Sequence, residues 1–333
     1  LRLLKYTHAV QKILDSSLAT KNPGDNFLAS VKHALDTDPK INSKRREIEA
    51  RLASVEVAEA QKYFQVGATL YGGIEDVTDN TKGLALSVKA SRLVFDGGKL
   101  DSQITSSLFA VEAAKMDLTT TIDRRAHELL EIWLELEKFK SLQAQIDKRL
   151  SILDPLIGQL EKVAKAGIGD VGKVTAAQRT VSTIRVEQSS ILEGLSQAKL
   201  DFSNAFGALD KEIAFDYEFI TTLVPSEIDD SLVQSSPMLK SQYAGYQSSL
   251  EKIKALEAKA GFDVGFEAKA MRPFAGSDYG SDESIGLVGR KTLFNGGMLE
   301  SEIKQAEAVA ESRLDQIKAT YRSGVRSIQA AIQ

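Results

Sequence analysis

One pattern occurs twice in this chain, and any fold must accommodate both copies. "DPKINSKRREIEARLASVEVAEAQKYFQVGA" starts at Asp38, and "SPMLKSQYAGYQSSLEKIKALEAKAGFDVGF" starts at Ser236. Pro39 aligns with Pro237, Ala60 with Ala258 and Phe64 with Phe262, and each copy then reads Val-Gly. Further on, "RLVFDGGKLDSQI" (92–104) is echoed by "KTLFNGGMLESEI" (291–303), so the offset stays near 200 residues with one residue inserted. A matched duplication of this length means two structurally equivalent units.

Each copy reads helix, strand, loop, strand, helix. In the first, Val66, Ala68 and Leu70 alternate with Gly67, Thr69 and Tyr71. After "GGIEDVTDNTKG", Leu84, Leu86, Val88 and Ala90 alternate with Ala85, Ser87, Lys89 and Ser91. In the second copy Val264, Phe266, Ala268 and Ala270 alternate with Gly265, Glu267, Lys269 and Met271, while glycines interrupt the alternation of "SIGLVGRKTLF". Period-two strands of this kind suit either a soluble hairpin lying on a core or the wall of a membrane β-barrel. Alternation alone leaves both open. At the end of each strand pair stand Asp96-Gly97-Gly98 and Asn295-Gly296-Gly297. Asp and Asn are good helix N-caps, and paired glycines allow a sharp bend, so these are the expected strand-to-helix junctions.

Between the copies the apolar residues keep a seven-residue register. One seam carries Leu129, Leu136, Gln143, Leu150, Ile157 and Ala164, and the other Ile132, Phe139, Ile146, Leu153 and Leu160. A second register follows with Val174, Val181, Gln188, Leu195, Phe202 and Leu209, alongside Ala177, Ile184, Ile191, Ala198 and Ala205. This spacing predicts two long helices packed through a narrow seam. A helix from Lys99 to about Lys165 would be ~100 Å long, with a kink expected at Pro155.

The segment "AGIGDVGKVT" (166–175) lies where that pair must reverse. Gly167, Gly169 and Gly172 satisfy G-x-G-x-x-G, and Lys173 sits near the place of a phosphate-loop lysine. The match fails on context. A phosphate loop follows a buried strand, whereas "GQLEKVAKA" is amphipathic helix, and Val174 stands where a Ser or Thr would hold magnesium. The glycines instead predict a helix C-cap and a tight hairpin tip.

Composition closes other routes. Acidic and basic residues number 46 and 42 with no basic block, which argues against nucleic acid. There is no cysteine, and His8, His33 and His127 are far apart, so no thiolate, disulfide or histidine metal site is expected. No carboxylate pair forms a convincing catalytic site. The chain reads as a non-enzyme without cofactor or metal. No apolar run reaches the ~18 residues of a membrane helix. The last residues, "SGVRSIQAAIQ", stop inside a helical pattern without a cap, and a C-terminally incomplete chain is expected.

Four strands cannot close a membrane barrel, since the smallest have about eight. Open strand edges are unfavourable in lipid, so such a barrel would be shared between copies. Two copies give eight strands and three give twelve, and only twelve leaves an appreciable pore.

The duplicated "VEVAEAQKYFQVGA" and "LFxGG" patterns, together with the tip "AGIGDVGKVTAAQRTV", resemble the TolC family of outer-membrane channels over about 27–333. The resemblance implies a mainly α fold with a small β part. Long antiparallel coiled-coil hairpins would form an α-barrel tunnel across the periplasm of a Gram-negative bacterium. Four strands per protomer would enter a 12-stranded barrel in outer-membrane lipid, within a homotrimer. It also implies a periplasmic adaptor protein and an inner-membrane transporter, ABC or proton-driven, as partners. The adaptor would dock on the tip Ala166, Gly167, Ile168, Gly169, Asp170, Val171, Gly172 and Lys173. "YGGIEDVTDNTKG" and "ASRLVFDGGKLDSQI" look closer to the type I protein secretion branch than to the multidrug efflux branch. On this reading Ser87, Lys89, Glu267 and Lys269 face the pore, and Leu86, Val88 and Phe266 face lipid.

The expected organisation is an N-terminal extension (1–26), a first-repeat helix (27–62) and its barrel hairpin (63–96). A long coiled-coil hairpin (97–206, tip near 166–172) and an equatorial linker (207–230) follow. The second repeat then supplies a helix (231–261), a barrel hairpin (262–295) and the start of a second long helix (296–333). Lys173-Val174 departs from the Asp-Val pair frequent in the family. The family's gate lies on a second hairpin of about 100 further residues, so no gate residue is assigned. A soluble coiled-coil scaffold or a periplasmic adaptor is the competing class, but neither is expected to repeat a strand pair ending in "FxGG".

Overall fold

The structure, a computed structural model, describes residues 27–76, 81–207, 230–278 and 280–332. The N-terminal extension and nearly all of the equatorial linker lie outside the described residues. In chain order the elements are α1 (Phe27–Thr37), α2 (Pro39–Ala60), β1 (Gln65–Asp76), β2 (Thr81–Phe95), α3 (Lys99–Lys165) and α4 (Val171–Phe206). They continue with α5 (Asp230–Ser235), α6 (Pro237–Ala258), β3 (Asp263–Pro273), β4 (Asp282–Arg290) and α7 (Met298–Ile332). The fold is mainly helical with one small sheet, as the alternation and heptads predict. Two compact units share the chain. One comprises Leu1–Asn42 with Thr121–Ser226, and the other Ser43–Thr120 with Glu227–Gln333.

In the first unit α3 and α4 form an antiparallel hairpin. Its order is fixed by cross-helix bonds: Gln178 donates to Glu161 at 2.7 Å, Arg185 to Asp154 at 3.1 Å and Gln188 to Asp147 at 2.7 Å. Val181, Ile184, Ile191, Leu195, Ala198, Phe202 and Ala205 are all buried on α4, so most of the heptad seam is realised there, whereas Val174, Ala177 and Gln188 are half-buried and Leu209 lies outside the described residues. Gly194 brings the helices close, because a Cβ on it would lie 2.2 Å from the Phe139 ring. On α3 the seam departs from strict heptads. Trp133 is 1% exposed whereas Leu160, expected inside, is 44% exposed. Trp133 is buried by a third helix: Phe27, Val31 and Ala34 of α1 join its cluster, and three packed helices need a wider apolar stripe than two. Trp133 sits among Phe27, Phe202 and Phe206 with ring centroids 4.9, 5.0 and 4.9 Å away, all edge-on. α3 runs unbroken through Pro155.

In the second unit the four strands form one antiparallel sheet in the order β1-β2-β3-β4. Each repeat contributes an adjacent pair, and β2–β3 joins the copies. Beside it α3 and α6 lie close together through small and hydroxyl side chains. Ser106 donates to the Ser248 carbonyl at 2.8 Å, and Ser241 donates to Asp117. Val55, Leu100, Ile104 and Val111 form the local apolar core where the strands give way to helix.

Candidate channel wall and hairpin tip

The tip is built by backbone chemistry. Gly167 ends α3 at φ +74°, its N–H donating to Ala164 at 3.1 Å while the Ile168 N–H reaches back to Val163 at 3.3 Å. This paired pattern satisfies the last carbonyls of the helix and favours glycine at the left-handed position. Gly169 is crowded for a different reason: a Cβ there would meet the Ala164 backbone at 3.1 Å. Asp170 then caps α4, its carboxylate accepting from the Gly172 N–H at 2.8 Å. Ala166, Ile168, Val171 and Lys173 are exposed, Ile168 to 84%. The element before the loop is helix α3 rather than a strand, so the loop lacks the phosphate-binding context.

Both strand-to-helix junctions share one design. Asp96, largely buried, accepts from the Gly98 N–H at 3.0 Å and the Leu100 N–H at 2.7 Å. Asn295 accepts from the Gly297 N–H at 3.2 Å. The glycine pairs match closely, with φ of +67° and +87° at Gly97 and Gly98 and +67° and +81° at Gly296 and Gly297. A second repeated device stands just beside them. Arg92 lies over the Phe64 ring at 5.5 Å, and its counterpart Lys291 lies over the Phe262 ring at 4.9 Å. The sequence aligned these four residues across the copies, but their contact spans the strands and only the fold reveals it. The same is true of Lys99, which pairs with Asp263 at 3.0 Å.

Strand register sorts the sheet into two faces, because residues directly opposite in an antiparallel ladder point to the same side. Thr69 stands opposite Ser87, Ser87 opposite Met271, Lys89 opposite Lys269 and Lys269 opposite Ser284. Ser91 stands opposite Glu267, so Ser87, Lys89, Glu267 and Lys269 share one face. That face is laced with charge. Lys89 reaches Glu267 at 3.0 Å, Arg290 pairs with the same carboxylate, and Lys269 pairs with Asp282 at 2.9 Å. Ser87 is 5% exposed and packed between its cross-strand neighbours, whereas Lys89 is exposed.

The opposite face carries Val66, Ala68, Leu70, Leu84, Leu86, Val88, Phe266, Ile285 and Leu287. Most of it is bare: Val66 is 71% exposed, Leu70 61%, Ile285 77% and Leu287 68%. The strands are 12, 15, 11 and 9 residues long, each enough for the ~9–11 residues of a tilted membrane strand. Among the described residues no helix is long and apolar enough to cross a membrane.

No protein-family model and no curated protein matches the sequence. Solved structures do match. CusC, whose structures concern folding and transmembrane channel formation, superposes with a TM-score of 0.80 at 12% identity, over 94% of this chain and 76% of CusC. The outer membrane protein VceC of Vibrio cholerae gives 0.74 at 16% identity, over 91% and 77% of the two chains. The CmeC outer membrane channel of Campylobacter jejuni gives 0.74 at 9% identity, over 90% and 68%. The chain has the fold of TolC-type outer-membrane channels.

Proposed function

We propose that this protein is an outer-membrane exit channel, with its sheet in the outer membrane and its helices in the periplasm. Three copies would close a 12-stranded barrel, and an inner-membrane transporter and a periplasmic adaptor would deliver cargo at the helical end. One observation carries this reading: a sheet with an ion-paired face, a bare apolar face and two unpaired edges, on a fold shared with outer-membrane channels. In water the apolar face and the open edges would both be liabilities. In a shared barrel the first meets lipid and the second meets another copy.

The adaptor would dock on the tip from Ala166 to Lys173, where small residues keep the backbone accessible and Ile168 projects. The cargo we assign is protein, through type I secretion, because "YGGIEDVTDNTKG" and "ASRLVFDGGKLDSQI" resemble the secretion branch. Small-molecule efflux is the alternative within the same fold. Deleting the gene in its host separates them. Loss of one exported protein from the medium, with unchanged sensitivity to toxic small molecules, is expected. Heightened sensitivity with intact secretion would assign efflux instead, and no change in either would remove the export reading.

A further inference from the structure

We propose that the channel wall at the helical end of the barrel selects for anions, so that cargo of net negative charge is favoured. The proposal rests on the exit-channel reading above and adds to it the chemistry of what passes. The chain as a whole is slightly acidic, with a net charge of −4. One groove runs against that average. A cavity of about 730 Å³ beside the sheet is lined by Lys99, Lys252, Lys259, Arg290 and Lys291 but by one carboxylate, Asp263. A second, of about 380 Å³, is lined by Arg51, Lys252 and Arg313 and again by one carboxylate, Asp117.

Both cavities belong to one groove, and strand register puts its upper end on the ion-paired side of the sheet. Lys252 lines the two of them. On α3 the lining residues Lys99, Gln103 and Ser106, then Ala110, Ala113 and Asp117, recur every three or four positions, which is one face of one helix. Arg51 and Arg313 join it from α2 and α7. At the sheet, Asp263 stands opposite Arg290 and lies four residues before Glu267 on β3. Side chains change sides at each step of a strand, so both belong to the ion-paired face. That is the face assigned to the pore. Another side of the same helix pair is unlike it: Phe109, Met116, Leu239 and Tyr243 stand there with one acid and one base, Glu112 and Lys240.

Ion pairing leaves positive charge over. Lys99 is matched by Asp263 at 3.0 Å and Lys259 by Glu302 at 2.9 Å. Glu47 takes Arg51 at 2.7 Å but also Lys44 at 2.9 Å, and Glu267 takes both Arg290 and Lys89. Each of those two carboxylates is outnumbered. Lys252 and Arg313 have no carboxylate partner among the described residues, and Arg313 donates instead to the Gly245 carbonyl. The α7 surface beside Arg313, with Gln305, Ala308, Ser312 and Gln316, adds no acid. In three copies around one pore, Lys252 and Arg313 would form rings of positive charge, the arrangement that selects anions. A lumen with low-dielectric walls focuses such a field on whatever passes.

Reversal potentials across planar lipid bilayers, measured on the full chain under a potassium chloride gradient, test this. Near ~0.1 M salt, where charges act over ~10 Å, chloride should permeate more readily than potassium. The preference should fade toward ~1 M salt, where that reach falls to ~3 Å. Lys252→Glu with Arg313→Glu should reverse the sign of the reversal potential. Lys252→Gln should shift it part of the way, and it changes an exposed side chain with no bonded partner among the described residues, which leaves the protomer's packing intact. Lys240→Gln, on the other side of the helix pair, should leave it where it was.

The same recordings separate the possible failures. Channels that prefer potassium, or whose reversal potential is unmoved by both Lys252 variants, would overturn the selectivity and leave the exit channel standing. Inserted protein that conducts no ions would overturn both.

Discussion

The helical hairpin and the sheet treat their apolar residues in opposite ways. In the hairpin Leu129 and Trp133 are 0% and 1% exposed, and every buried residue of the α4 seam is covered by the same chain. In the sheet Ile285 and Val66 are 77% and 71% exposed, although they lie on well-formed strands. Both regions carry strong apolar periodicity, so the difference is not one of pattern. The hairpin is a core finished within the protomer. The sheet is left open within the protomer, and on the proposed function lipid and other copies would complete it.

The contrast gives substitutions of sharply different character. The largest effect is expected at Trp133, where three aromatic rings converge. Trp133→Ala should cost about 3–5 kcal/mol of hairpin stability, read as a lower melting temperature of the helical circular dichroism signal. A change under 1 kcal/mol would show that the hairpin core is not self-contained.

Next comes a pair of neighbours on β4. Ile285→Lys should cost about 2–4 kcal/mol when the protein is folded into bilayers, while Ser284→Lys on the ion-paired face, opposite Lys269, should cost no more than about 1 kcal/mol. Equal costs, or the reverse order, would exchange the lipid and pore faces. Refolding titrations into lipid vesicles measure both.

Gly194→Ala tests how closely the two helices approach. Alanine gains up to about 1 kcal/mol of helix propensity over glycine. Here the new methyl would overlap the Phe139 ring, and a net loss of about 1–2 kcal/mol is expected. Gly194→Ala together with Phe139→Leu should recover part of it. The smallest effect belongs to the tip. Asp170→Ala should cost about 1 kcal/mol by removing the α4 cap, visible as faster hydrogen exchange at Gly172 and Lys173. A bulky residue at Gly169 should leave the protein inserted but stop export, whereas added nucleotide should change nothing.

Much of this was legible in the sequence where one residue's environment depends on one partner helix or strand. The α4 seam from Val181 to Ala205 follows its heptads because it packs against one neighbour for most of its length. The strand faces follow their alternation because side chains must change sides at each step. Trp133 escaped because α1 arrives from over 90 residues away in sequence and widens the buried stripe. Ser87 shows a related limit. Alternation assigns it to the ion-paired face, but only cross-strand packing against Thr69 and Met271 reveals that it is buried there. The Lys99–Asp263 pair joins residues 164 positions apart, which no local spacing could suggest. At the tip, the glycine pattern announced a turn, yet the distinct reasons for Gly167 and Gly169 are matters of backbone angle and backbone distance.

Whether the sheet is complete in one chain is the central question for this protein. Multi-angle light scattering of the detergent-solubilised protein, corrected for bound detergent, measures that directly. The expected mass is that of three chains, giving twelve strands and a pore, and it should be lost to aggregation when detergent is withdrawn. A folded monomer that stays soluble without detergent would contradict the account, because its exposed Ile285, Leu287 and Val66 would then need neither lipid nor a second copy.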